Sequence, residues 1–130
     1  MASIVEIVSY FNTAKQQAIV WHQQTTSFSE HKALNEFYDE IVDLLDELSE
    51  SSAGIFGRLK GYEVHDLVDW TSTEDTIAYY KNCYSWLQTE RKTAPQESWI
   101  QNQLDEIAQL LGSTLYLSLI HISEPTRPER

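Results

Sequence analysis

A chain of 130 residues holds one hydrophobic core and not two, and 4 Gly with 3 Pro are too few for a turn-rich all-β protein. Its one cysteine, Cys83, excludes a disulfide framework and a Cys-only zinc site; no apolar run reaches the roughly 18–20 residues of a membrane span, so a reducing cytosol is the expected compartment and no membrane partner is expected. With 20 acidic against 9 basic residues the net charge is −11, which argues against DNA binding and suits a protein that attracts cations.

The first predicted helix runs from Ser3 to about Thr25, with Ile4, Ile7, Val8, Phe11, Ala14, Ala18 and Trp21 near a 3.6-residue period. Ser27 with Glu30 three residues later forms a capping-box pattern and predicts a second helix. That helix carries Leu34, Phe37, Ile41, Leu44, Leu45 and Leu48 and fades over Ser51 to Gly54. Gly54 to Thr73 reads as a loop with a short helix in it. Ser72 with Asp75, or Thr71 with Glu74, caps a third helix through Ile77, Tyr80, Tyr84 and Leu87 to about Lys92. Pro95 is placed to start a fourth, which carries Trp99, Ile100, Leu104, Ile107, Leu111 and Leu115. Four amphipathic helices with a long middle connection predict an all-α four-helix bundle spanning residues 1–117.

The remaining segment, 118–130, breaks the periodicity with Pro125 and Pro128. It resembles an in-frame translation of a sequencing adapter, so it is expected to be non-native read-through without chemistry.

The chemistry concentrates on the second helix. With His31 at zero on a wheel of about 100° per residue, its apolar set spans roughly 220° to 320°. Asn35, Asp46 and Glu50 fall at roughly 40°, 60° and 100°, which puts them with His31 on a polar stripe facing away from the core. His22, across one short turn from His31, reaches the same place. Two imidazoles, an amide and two carboxylates make a donor set for iron, zinc or manganese. Fifteen helical residues separate His31 from Asp46 by about 22 Å, so one chain cannot bring both to one ion. An isologous dimer, with its two-fold axis near Tyr38 and Asp39, would do so twice. The plain alternative is a solvated helix face.

The run Trp21-His22, His31-x-x-x-Asn35-x-Phe37-Tyr38, Asp46 and Glu50 resembles the signature of the Dps-type mini-ferritins. The resemblance implies a ferritin-like bundle with a long crossover, carrying a short helix, between the second and third helices. It implies Fe(II) oxidation by peroxide or oxygen, iron storage, and homo-oligomers built from isologous dimers, up to a closed dodecameric shell. His22, His31, Asn35, Asp46 and Glu50 would be the metal ligands, with zinc or manganese as possible substitutes for iron. Asn35 stands where that family has Asp, the interval between the histidines is shorter, and Trp21 precedes rather than follows His22. The later helices look more like phage-encoded or metagenomic relatives of the ferritin-like superfamily.

Other readings are weaker. The within-bundle diiron arrangement needs Glu-x-x-His on two helices, and no histidine here has Glu three residues before it. His65, beside Glu63 and Asp66, reads as a solvated loop residue, and Cys83, Trp70, Trp86 and Trp99 read as core or interface material. Two further function classes stay open: a non-catalytic, viral-type helical assembly protein that has lost the metal site, and a metal-binding module without oxidation chemistry.

Overall fold

The computed structural model describes residues 3–120, which form four helices with no strand among them. They are α1 (Ile4–Gln24), α2 (Phe28–Phe56), α3 (Thr73–Glu90) and α4 (Ser98–Ile120). Each of the first three opens on a serine whose hydroxyl accepts a backbone N–H that the helix leaves unsatisfied: Ser3 from Glu6, Ser27 from Glu30, Ser72 from Asp75. The third pair settles the choice between Thr71 and Ser72; Thr71 instead donates its hydroxyl to Asp75 Oδ2 at 2.6 Å. The second start is only half a capping box. Ser27 N–H donates to Thr25 Oγ1, while the Glu30 carboxylate turns inward.

The 3.6-residue stripes meet in one core. Phe11, Leu34, Phe37, Ile41, Tyr80, Leu104 and Ile107 are all buried, and each such side chain contributes about 1.5–3 kcal/mol relative to its exposed state. One expectation on α3 shifts: Tyr84 is exposed, while Cys83, one residue earlier, is in the core as its spacing predicts. The Tyr80 hydroxyl donates to Ala14 O, and Tyr10 stacks on Trp86, so α1 and α3 run antiparallel, as α1 and α2 do through their short turn. Arg91, at the end of α3, reaches Gln101 O at 2.9 Å and Asp105 Oδ1 at 2.6 Å and fastens α3 to α4.

Three boundaries differ from the sequence expectation. α2 continues past Ser51–Gly54 to Phe56 and stops at Gly57, whose φ of 94° suits a residue without Cβ. α4 opens at Ser98 rather than at Pro95, and it continues to Ile120, into the segment read as a tail. The rest of that tail lies outside the described residues.

The short helix expected between α2 and α3 is absent: residues 57–72 carry no helix. The reason lies on α1. Gln17 donates its amide to Val68 O (2.7 Å) and accepts from Val68 N–H (2.9 Å), and Trp21 Nε1 donates to the same carbonyl. Ser9 Oγ accepts from Glu63 N–H, and Gln24 Oε1 accepts from Trp70 N–H at 2.7 Å. These side chains satisfy backbone groups that a helix would otherwise satisfy internally, so an extended connection can follow α1. No described helix is long and apolar enough to cross a membrane.

Candidate metal centre

His22 lies in the last turn of α1 and His31 in the first turn of α2. The turn between them is tied down: Thr25 N–H donates to Trp21 O (2.8 Å), and Ser27 N–H donates to Thr25 Oγ1 (3.1 Å). The two imidazoles, each half-buried, stack with ring centroids 3.8 Å apart and planes 19° from parallel. Their anchoring is reciprocal. His22 Nδ1 donates to the carbonyl oxygen of His31 at 2.9 Å, and His31 Nδ1 donates to that of His22 at 2.8 Å. A carbonyl oxygen only accepts, so both Nδ1 atoms carry protons, and in the neutral form of such a ring the lone pair is on Nε2. Imidazole ligands at metal sites are oriented by this kind of backing hydrogen bond.

The other expected ligands stand apart from this pair. Asn35, half-buried one turn along α2, accepts the Tyr38 hydroxyl on Oδ1 at 2.6 Å and donates from Nδ2 to Asp39 Oδ2 at 3.2 Å. The Tyr38 ring meets His22 edge-on, with centroids 5.3 Å apart, so the Asn35 chain of hydrogen bonds borders the histidine pair. Asp46 and Glu50 are exposed further along the same helix, on the outward stripe. Their spacing from His31 corresponds to about 22 Å and 28 Å of helix rise. Among the described residues of one chain, no three His, Cys, Asp or Glu side chains gather closely enough to hold a metal ion. His65 is exposed, 3.9 Å from the Glu63 carboxylate.

A profile for a family of unknown function, DUF5856, matches residues 22–117. The chain belongs to the DUF5856 family. The DUF5856 match opens at His22 and takes in His31, Asn35, Asp46 and Glu50, together with α2, α3 and most of α4. No curated protein and no solved structure matches the chain.

Beside the histidines lies a residue that sequence reading left as a cap. Glu30 is 1% exposed, and its Oε2 accepts from Trp70 Nε1 at 2.6 Å and from Thr76 Oγ1 at 3.0 Å, which joins the N-termini of α2 and α3 to the connection between them. Its Oε1 is buried and has no hydrogen-bond partner among the described residues. Gln17 and Gln24 were equally silent in sequence. Their signal was available: with Trp21, the end of the apolar stripe, they recur at intervals of four and three, which puts two amides and an indole N–H on one face of the helix.

Proposed function

We propose that this DUF5856 chain is a Dps-like mini-ferritin, which takes Fe(II) as substrate at a two-fold interface between subunits and oxidises it. The observation that carries the reading is the reciprocal His22–His31 pairing. It packs two imidazoles ring against ring with both Nδ1 atoms protonated, which in a neutral ring leaves Nε2 as the atom that can bind Fe(II), Zn(II) or Mn(II). The fold supports it: α1 runs antiparallel to α2 and α3, and the connection 57–72 returns along α1, as a ferritin-like crossover does.

In this reading an antiparallel copy of α2 sets Asp46 and Glu50 of the partner subunit against His22 and His31, and the reverse at the second site. Val42, 38% exposed, and half-buried Tyr38 lie near the axis and supply apolar contact. Neutral imidazoles hold Fe(II), and the two carboxylates favour the higher charge of Fe(III). With peroxide as oxidant, two Fe(II) give two electrons to one H2O2, which takes up two protons and leaves as two waters; dioxygen is the other candidate oxidant. Ferric product would then collect in a closed, dodecameric shell of such dimers.

One observation favours a second reading, a helical assembly protein that kept the dimer and lost the metal. Asn35 supplies no charge where the mini-ferritins have Asp, and its Oδ1 already accepts the Tyr38 hydroxyl. An anaerobic Fe(II) titration followed by peroxide separates the two. Saturable uptake, and a ferric absorbance that His31→Ala abolishes, is the expected result; the absence of any saturable uptake would overturn the iron reading and favour the assembly one.

A further inference from the structure

A cavity of about 470 Å³ opens at the seam between α1 and α3, within the range of small-molecule sites. Its wall is aromatic. Tyr10 and Trp86 stack with centroids 3.8 Å apart and planes 3° from parallel, and Tyr79 lines the space beside them. Its carboxylates come from three elements: Glu6 from α1, Glu90 from α3, and Glu63 and Asp66 from the 57–72 connection line it, with no Lys or Arg among the described residues. His65, 3.9 Å from Glu63, is the one described lining residue able to offer a positive charge.

The connection that closes the cavity is fixed on both sides. Glu63 N–H is held by Ser9 Oγ at 3.0 Å, and Val68 is held at both its N–H and its carbonyl by Gln17. The space between those anchors is therefore formed before any ligand arrives, which removes the ordering cost that binding would otherwise carry.

The spread of the carboxylates selects the ligand. No three of them gather as metal ligands do, so a compact divalent ion would neutralise one or two and leave the others facing each other. An extended cation, with several ammonium groups spaced by methylenes, meets separate carboxylates at once and lays its methylenes and charges against aromatic rings. We propose that the α1–α3 cavity binds an aliphatic polyamine. The proposal stands independently of the iron reading.

Isothermal titration of the full chain with spermidine in 150 mM salt tests it. The expected result is saturable one-to-one binding, at least tenfold tighter than that of butylamine and not displaced by equimolar Mg2+. Glu6→Gln combined with Asp66→Asn should weaken binding about tenfold, because two of the charges that meet the ligand are gone. Glu40→Gln combined with Glu106→Gln removes the same net charge from the α2–α4 groove and should leave affinity within about twofold. Circular dichroism verifies that both double variants are folded. Equal weakening by the two pairs would reduce the binding to general attraction by a −11 protein and overturn the proposal. So would displacement by Mg2+, or a titration without saturation.

Discussion

Cys83 lies inside the bundle close to Tyr10 and Tyr79, and burial pushes its thiol from an ordinary 9.0 up to about 12. The same burial raises the hydroxyls of Tyr10, Tyr79 and Tyr80 above the usual tyrosine range. All four groups are held protonated by the fold, so their folded pKa values exceed the unfolded ones. Their stabilising contribution is complete below about pH 9. It is lost as pH rises from there towards 12 and beyond, where only the unfolded chain gains from deprotonation. Native protein at pH 8 should therefore leave Cys83 unreacted with a thiol reagent such as Ellman's, and denaturant should expose it at once. In an alkaline titration three of the seven tyrosines should ionise only as helicity is lost. Tyrosinate absorbance from all seven before any change in circular dichroism would contradict this account.

At the scale of elements, the connection 57–72 is held by α1 rather than by its own structure. Gln17→Ala removes its two hydrogen bonds to Val68, leaves the one from Trp21, and should cost about 1–2 kcal/mol in urea unfolding with an unchanged slope. The Val68 amide should lose hydrogen-exchange protection in this variant, and protection equal to the parent's would show that the anchor is elsewhere. This element also marks where sequence reading stopped. The four helices were legible because Ile4, Phe11, Leu34, Phe37, Leu104 and Ile107 repeat at 3.6 residues and Ser27 and Ser72 announce helix starts. The connection was not, because its backbone partners are side chains some fifty residues earlier, and local periodicity cannot register a long-range pairing. The same limit hid Glu30. Its spacing from Ser27 fits a capping box, but Trp70, forty residues on, offers its buried carboxylate a hydrogen-bond donor. Of the metal centre, the meeting of His22 with His31 followed from a short turn between two helices. The relay from Tyr38 through Asn35 to Asp39 depends on side-chain rotamers and was beyond the pattern.

On the whole-molecule scale, the account turns on one geometric fact: His31 and the Asp46–Glu50 pair are far apart on a single straight helix, so any site that uses both belongs to two chains. The most direct measurement is complementation. His31→Ala alone and Asp46→Ala combined with Glu50→Ala should each lose iron oxidation. Co-refolding the two variants in equal amounts gives mixed dimers with one site carrying both defects and one site intact. Under random pairing half the dimers are mixed and half of their sites work, so the account predicts recovery to about one quarter of the parent rate. Ligands contained within one chain would give no recovery, and that result would contradict the intersubunit site.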